Sequence, residues 1–469
     1  MKYNIEDLEK KLLSYKLDKN QKEVLKKITD FIEYPLSFDC CLTGKAGTGK
    51  TQLMKVLVKI LKDNKIPYLV ISPTNKSKNV IASITESEAI TVHTLLSLYP
   101  KLNILDLDFK DLKFESRNSI VLDRNAVWII DECSMINDTL YNLIVKKASE
   151  YNCKLLWLGD VSQLAPVKQS TKSKTFDSSL ILELTTVYRQ QYSQNGELTK
   201  LAKLLEQLRI SPVTKFTEII DPAGASLYTY SDVLEFIKNN KCLFQDSVNL
   251  EDPTIVKLIS YTNKRISIFN KVIRDLIFDR PKSKFCVGDI ITGYDTCEVN
   301  GGDYTYQIDN SIDYIVTKVE QGTKTICKLL VSGWKITLYD TLSNVYLDNV
   351  FILDPEQNPP LQISFLISSL EKLRLDAVKY KSNIKWAFYF TEMKKFLTPI
   401  DLSIQGRTIK KKSLDYGYCI TVHKSQASQY DTILVDMENI LLCPRQKELR
   451  QLQYVALSRT QGDIHLYQK

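Results

Sequence analysis

Apolar residues recur along the chain at two spacings, and these spacings alternate. In the N-terminal half, continuous apolar runs typical of buried strands alternate with stretches of helical spacing. The apolar runs are SFDCCLTG (37–44), IPYLVIS (66–72), AVWIID (126–131) and KLLWLGD (154–160). The helical stretches are 1–35, 51–64, 75–84 and 194–208. This alternation predicts an α/β fold, with helices on both faces of a parallel sheet.

The C-terminal half repeats the alternation around an insertion of different character. Residues 285–352 form short, turn-bounded runs that predict a small all-β element, and residues 361–400 return to helical spacing with many aromatics. The other predicted elements are strands at 254–262, 417–426, 432–437 and 463–468 and a helix at 448–459. A basic run, RTIKKK (407–412), is compatible with either a phosphate track or a solvated loop.

Composition narrows the class of protein without choosing a function. The 469 residues allow about three or four domains, and 44% hydrophobic with 25% charged residues is typical of globular proteins. The net charge of +8 suits nucleic acid but does not require it. No apolar run approaches the ~18 residues of a membrane span, and the N-terminus carries acids where a secretion signal is apolar. We therefore expect a cytoplasmic protein without membrane partners, whose ten cysteines are reduced.

The segment GKAGTGKT (44–51) matches the phosphate-binding pattern G-x-x-x-x-G-K-[ST] and lies between a predicted strand and a predicted helix. Glycines let backbone N–H groups surround phosphates, and the helix N-terminus adds positive partial charge. Lys50 is expected to reach the terminal phosphates, and the Thr51 hydroxyl to bind Mg²⁺. The predicted ATP contacts here are Gly44, Lys45, Ala46, Gly47, Thr48, Gly49, Lys50, Thr51 and Gln52.

Two acids end the apolar strand VWII, at Asp131 and Glu132. Paired carboxylates at a buried strand end are costly unless a cation lies there. Together with the phosphate-binding segment, they predict Asp131 as a Mg²⁺ ligand and Glu132 as the base that takes a proton from the attacking water. No His, Cys or Glu spacing suggests another metal, so ATP and Mg²⁺ are the expected cofactors.

Beyond these two segments, the sequence resembles the superfamily 1B DNA helicases of the RecD and phage Dda type, through about nine short motifs in the expected order. The resemblance implies that Gln21 contacts adenine, that Asp160 and Gln163 in GDVSQ lie at the nucleotide, that Gln426 couples to ATP, and that Arg189 and Arg459 are arginine fingers. With Lys50 and Glu132, the implied catalytic residues are Gln163, Arg189 and Arg459. The implied contacts to single-stranded DNA are Pro73, Thr74, Asn75, Lys76, Thr91, His93, Thr262, Asn263, Lys264, Thr421, His423 and Lys424.

The same resemblance implies a domain plan of two RecA-like motor domains. Residues 1–190 would form the first, with a small β wedge at about 96–125 that carries a duplex-splitting aromatic. Tyr99, Phe109 and Phe114 are candidates for it, and ordinary packing is the alternative role for each. Residues 191–284 and 403–469 would form the second motor domain. An SH3-like accessory domain with a helical, aromatic extension would occupy 285–402.

One position departs from the family pattern. Relatives usually carry glycine after the glutamine of HKSQ, whereas this chain has Ala427. If the backbone there needs a positive φ, alanine costs about 1 kcal/mol or more.

The sequence thus predicts an ATP- and Mg²⁺-dependent helicase that moves 5′→3′ on single-stranded DNA and unwinds 5′-tailed duplexes. It is expected to be a phage-encoded monomer in the host cytoplasm, with single-strand-binding or replication proteins as possible partners. Two alternatives stay open: an RNA helicase, and an ATP-gated loading factor that binds single strands without unwinding them.

Overall fold

The computed structural model describes residues 16–100, 114–116, 121–166, 169, 171–187, 199–221, 225–302, 304–460 and 462–469. These residues form two compact units. The first unit contains the described parts of 1–101, 113–231 and 425–469, and the second contains those of 232–424. The α/β class predicted from the alternation of apolar runs is confirmed in both units.

A six-stranded parallel sheet forms the centre of the first unit. In spatial order its strands are Ala89–Thr91, Tyr68–Ser72, Val127–Ile130, Lys154–Gly159, Asp39–Gly44 and Leu180–Leu184. The helices connected to it are Lys19–Glu33, Lys50–Asp63, Asn75–Thr85, Val92–Leu95 and Asp138–Glu150. The four apolar runs predicted as strands are thus all present.

Side chains that alternate along the strand Asp39–Gly44 pack into two separate hydrophobic cores. Cys40 and Leu42 pack into a core with the helices Lys19–Glu33 and Lys50–Asp63, whereas Cys41 packs into a second core with Trp128 and Trp157. Because successive strand residues point to opposite faces, helices cover both sides of this sheet.

The first unit has further elements outside this sheet. A second parallel ladder joins Leu227–Tyr230, Ile464–Tyr467 and Thr432–Asp436, and it is accompanied by the helices Lys200–Ile210, Met437–Ile440 and Gln446–Leu457. In the region predicted as a wedge, the strand Leu98–Pro100 pairs with the strand Phe114–Ser116 in antiparallel register. The backbones of Tyr99 and Phe114 therefore lie in this pair, whereas Phe109 lies outside the described residues.

The second unit combines a parallel strand pair with a β-rich region. Val256–Ser260 pairs with Cys419–Thr421, beside the helices Val233–Asn239, Lys241–Asn249 and Asn263–Ile277. Within the predicted strand 417–426, only Cys419–Thr421 is extended, and the polar residues after it form turns.

The predicted all-β insertion is confirmed as a five-stranded antiparallel sheet. In spatial order its strands are Val345–Leu353, Leu329–Asp340, Asp313–Ile326, Ile290–Gly293 and Leu414–Tyr416. Small hairpins add Cys297–Asn300 with Thr305–Ile308, and Leu402–Ile404 with Arg407–Lys410. Two helices, Pro360–Lys379 and Asn383–Met393, follow the sheet. Phe351 and Leu353 pack against the first of them, which explains the helical spacing predicted at 361–400.

Within the basic run 407–412, Lys410 belongs neither to a phosphate track nor to a solvated loop. This lysine is buried, its Nζ donates to the carbonyl oxygens of Met393 and Phe396 at 2.6 Å each, and it lies 4.2 Å from the centre of the Phe396 ring. Residues of one run therefore have different surroundings, since Arg407 is exposed whereas Ile409 and Lys410 are both buried. Among the described residues, no helix combines the length and apolar character that crossing a bilayer requires.

Candidate active site

The phosphate-binding segment forms the turn between the strand Asp39–Gly44 and the helix Lys50–Asp63. Gly47 and Gly49 have φ values of 78° and 81°, a backbone region that favours glycine. A Cβ on Gly44 would lie 2.7 Å from the Thr48 hydroxyl, so this position also excludes larger residues. The Lys50 Nζ donates to the carbonyl oxygens of Gly44 at 2.6 Å and Lys45 at 2.9 Å. The ammonium group therefore lies over the turn, where phosphate oxygens would replace these carbonyls.

The two acids follow the buried strand Val127–Ile130, as predicted. Burial, and then the charge of Glu132, raise the pKa of Asp131 to about 7, although Lys50 acts in the opposite direction. A carboxyl group that burial makes costly to ionise is stabilised as a ligand of a hard cation. With the Thr51 hydroxyl at the start of the adjacent helix, the available donors are oxygens, which Mg²⁺ prefers.

Strand order brings all the predicted motifs of the first sheet to one edge. Because the strands are parallel, their carboxyl ends lie on the same side, where ligands of open α/β sheets bind. In spatial order along this edge lie Thr91–His93, Pro73–Lys76, Asp131–Glu132, Asp160–Gln163 and Gly44–Thr51. The predicted DNA contacts thus occupy one end of the edge and the predicted ATP contacts the other.

The segment after the strand Lys154–Gly159 is tightly fixed. Asp160 is buried, and its Oδ1 accepts from the Ser162 N–H at 2.9 Å. The buried polar atoms of this unit that have no hydrogen-bond partner in the described part of the chain include Gln163 Oε1, Gln426 Nε2, Ser134 Oγ and Ser428 Oγ. Gln163 and Gln426 are both predicted nucleotide contacts. Unpaired buried amides are costly, so a polar ligand or water at these atoms fits the site.

Helix Gln446–Leu457 adds two contacts that the sequence reasoning missed. The Tyr454 hydroxyl donates to Asp160 Oδ2 at 2.7 Å and accepts from the Ala46 N–H at 3.1 Å. Gln451 Nε2 donates to the Gln163 carbonyl oxygen at 2.8 Å. The sequence carries one signal for these contacts. Gln451 and Tyr454 are polar side chains one turn apart on a predicted helix that is otherwise largely buried.

Arg459, the predicted finger that follows this helix, is buried in the same unit. Its Nε donates to the Val455 carbonyl oxygen and its Nη2 to the Ser458 hydroxyl, both at 2.9 Å. Burial lowers the pKa of Arg459, while the charges of Glu132 and Asp160 raise it. The guanidinium thus experiences the negative charge of these two acids. Arg189, the other predicted finger, lies outside the described residues.

Gln21, predicted to contact adenine, is buried at the start of the helix Lys19–Glu33. Its Oε1 accepts from the Asp18 N–H at 3.1 Å, and its Nε2 donates to the Thr48 carbonyl oxygen at 3.3 Å. Its amide therefore connects the helix start to the phosphate turn. Gln52 is exposed on the first turn of the helix Lys50–Asp63.

The predicted DNA contacts of the first unit lie at helix starts. Thr74 caps the helix Asn75–Thr85 through a 3.1 Å bond from the Ser77 N–H, and Thr91 accepts from the Thr94 N–H at 3.1 Å. Burial lowers the pKa of His93, which favours its neutral form. Neutral histidine and capped helix starts offer N–H donors to phosphate without a fixed positive charge.

The second unit carries its own set of predicted DNA contacts. Thr262–Lys264 and Thr421–Lys424 follow the two strands of its parallel pair, so they lie at one edge. The Lys424 Nζ donates to the Gly293 carbonyl oxygen at 3.0 Å and lies 3.5 Å from the centre of the Tyr294 ring. Lys424 is thus held by the β-rich region.

Ala427 has a φ of 58°, within the left-handed region. The suspected backbone requirement at this position is therefore present. A non-glycine residue in this conformation costs about 1 kcal/mol.

Two family models match parts of this chain. Residues 16–214 match the family model described as an AAA domain, and residues 416–467 match a UvrD-like helicase C-terminal domain. The chain is 24% identical over 319 residues to the ATP-dependent DNA helicase dda of Enterobacteria phage T4, covering 63% of this chain and 68% of the relative. It is 23% identical over 446 residues to the ATP-dependent DNA helicase Pif1 of Campylobacter jejuni, covering 92% and 88%. It is also 29% identical over 150 residues to the ATP-dependent RecD2 DNA helicase of Deinococcus radiodurans, covering 32% and 19%.

Proposed function

We propose that this chain, a homologue of the superfamily 1B helicases, is an ATP-hydrolysing DNA helicase that moves 5′→3′ along single strands. The observation that carries the proposal is the shared sheet edge of the first unit. On that edge the phosphate turn and the acids lie in one row with the segments predicted to contact DNA, each at the carboxyl end of its strand. A change at the nucleotide can therefore reach the DNA contacts through neighbouring strand ends.

For the nucleotide, we assign Lys50 and the backbone N–H groups of the turn that follow Ala46 to the phosphates, since the Ala46 N–H donates to Tyr454. Thr51 and Asp131 would hold Mg²⁺, which supplies charge neutralisation at the phosphate oxygens when bound. Glu132 would accept the proton of the attacking water. Gln163 and Gln426, whose amides each have a buried unpaired atom, would contact the terminal phosphate or that water.

For charge stabilisation, we assign Arg459, with Arg189 as the second predicted finger. An arginine directed at the transferring phosphoryl group contributes roughly 10³–10⁵ in rate. In the structure the Arg459 guanidinium donates hydrogen bonds to Val455 and Ser458, which are close to it in sequence. We propose that it exchanges these bonds for phosphate oxygens during hydrolysis.

For DNA, we assign the two sets of predicted contacts, one in each unit. Helix starts and lysines bind backbone phosphates without reading bases, which suits a protein that must move along any sequence. The 5′→3′ direction and the plan of two motor domains with boundaries at 190, 284 and 402 follow from the resemblance and remain predictions, as do phage origin and cytoplasmic location.

The loading-factor alternative has one structural observation in its favour. Ala427 holds a strained backbone beside Gln426, where the family pattern has glycine. If the strain uncoupled ATP from DNA, the chain would bind single strands without unwinding. We favour the helicase, because about 1 kcal/mol of strain is small beside the free energy of ATP hydrolysis.

ATPase stimulation tests the proposed substrate. Single-stranded DNA should stimulate wild-type hydrolysis strongly, and single-stranded RNA of the same length and sequence should stimulate it much less. Equal or greater stimulation by RNA would favour an RNA helicase, and no stimulation by either polymer would contradict a translocating motor.

A further inference from the structure

One side chain outside the predicted site connects two parts of it. Tyr454 is buried, and both hydrogen-bonding capacities of its hydroxyl are used, as donor to Asp160 and as acceptor from the Ala46 N–H. Burial, and then the charge of Asp160, raise the pKa of Tyr454 well above its usual value, so the phenol stays protonated and can donate. The hydroxyl is therefore a fixed bridge between the phosphate turn and the segment of Gln163.

A second path leads from Asp160 back to the same turn. Asp160 accepts from the Ser162 N–H, and the Ser162 hydroxyl accepts from Arg209 Nε at 2.9 Å. Arg209 lies 3.5 Å from Glu206, which pairs with Lys45 at 2.6 Å. Lys45 is thus held by its ion pair with Glu206, and Ala46 by its hydrogen bond to Tyr454. The Glu206 pair is partly exposed and contributes little, whereas the buried Tyr454 bridge to a charged carboxylate is the stronger of the two.

We infer that Tyr454 is a positioning residue, whose hydroxyl holds the phosphate turn in its nucleotide-binding conformation by tying Ala46 to Asp160. The inference rests on the proposed ATP hydrolysis and assigns one further residue to the same site. Its physical basis is preorganisation, since a turn held before binding loses less conformational freedom when ATP binds. Removing the hydroxyl leaves one buried oxygen of Asp160 and the partly buried Ala46 N–H without this partner.

Tyr454→Phe tests the inference, because it removes one oxygen and keeps the ring. We expect the KM for ATP, and the Kd for a fluorescent ATP analogue, to rise roughly tenfold, as loss of a hydrogen bond to a charged group predicts. The kcat should change much less, since the hydroxyl contacts no reacting atom.

Tyr314→Phe is the matched control. Tyr314 is also buried, and its hydroxyl accepts from the Asp309 N–H at 2.9 Å in the β-rich region of the second unit. The Tyr314→Phe variant should lower the melting temperature about as much as Tyr454→Phe does, and it should leave the KM for ATP at the wild-type value. If both variants leave the KM unchanged, or if Tyr454→Phe lowers kcat alone, the inference is wrong.

Wild-type protein gives a test that needs no variant. Hydrogen exchange without nucleotide should show the Ala46 amide protected, because it donates to Tyr454. An unprotected Ala46 amide would overturn the inference even if Tyr454→Phe does not fold. Failure of the proposed function is distinguishable, since wild-type protein would then show no DNA-stimulated hydrolysis.

Discussion

The Nζ of Lys50 lies 2.6 Å from the carbonyl oxygen of Gly44, the residue that begins the phosphate turn. When a nucleotide binds, a phosphate oxygen would take the place of this carbonyl oxygen as the acceptor from the Lys50 ammonium group. The same ammonium lowers the pKa of Asp131 against the effect of burial. Lys50 therefore forms a hydrogen bond within the phosphate turn and also acts electrostatically on Asp131.

Lys50→Ala should reduce DNA-stimulated ATP hydrolysis to background, because the terminal phosphates lose their cation. Binding of single-stranded DNA, measured by fluorescence anisotropy without nucleotide, should stay within about threefold of wild type. Lys59→Ala is a control, since Lys59 lies on the same helix and forms an exposed ion pair with Asp63. Hydrolysis by Lys50→Ala at the wild-type rate would show that the phosphate assignment is wrong.

Glu132→Gln should bind ATP with near-normal affinity and hydrolyse it at least about 100-fold more slowly, as loss of a general base predicts. Quench-flow measurement of a single turnover separates the chemical step from product release. Asp138→Asn is a matched acid-to-amide change on the next helix and should behave as wild type. A normal single-turnover rate in Glu132→Gln would remove Glu132 from the mechanism.

Ala427→Gly should stabilise the folded chain by up to about 1 kcal/mol, because glycine adopts a φ of 58° without strain. The same substitution at Ala82, inside the helix Asn75–Thr85, should destabilise by about 1 kcal/mol. Urea unfolding measures both changes. Equal destabilisation by the two substitutions would mean that the backbone at Ala427 is not strained.

Lys410 predicts a dependence of stability on pH. Burial lowers its pKa from 10.5 to about 8, so the folded chain loses this proton before the unfolded chain does. Below pH 8 both forms carry the charge and the cost of burial is constant. Between pH 8 and 10.5 the unfolded chain binds more protons, so the free energy of unfolding rises with pH.

The comparison with Lys410→Met isolates this contribution from other titrating groups. The difference in unfolding free energy, wild type minus variant, should rise by about 1.4 kcal/mol per pH unit from pH 8 to 10. Urea titrations at pH 7, 8, 9 and 10 give this difference. A difference that stays constant over this range would contradict a buried, charged Lys410.

Local patterns predicted the strands, the phosphate turn and the acids, because each depends on residues close together in sequence. The Tyr454 bridge depends on contacts with residues 408 and 294 positions away, and no periodicity encodes such a pairing. The surroundings of Lys410 were predicted wrongly for a related reason, since its carbonyl partners, Met393 and Phe396, lie 17 and 14 positions away and a basic run alone suggests solvent. At Ala427, comparison with the family pattern suggested the left-handed backbone correctly.

Strand displacement tests the central claim most directly. With ATP and Mg²⁺, the wild-type chain should release the labelled strand of a duplex with a 5′ single-stranded tail, and it should leave a 3′-tailed duplex of the same sequence intact. Lys50→Ala should release neither. Release from the 3′-tailed duplex alone would contradict the proposed direction, and release from neither by an actively hydrolysing wild-type protein would contradict a DNA helicase.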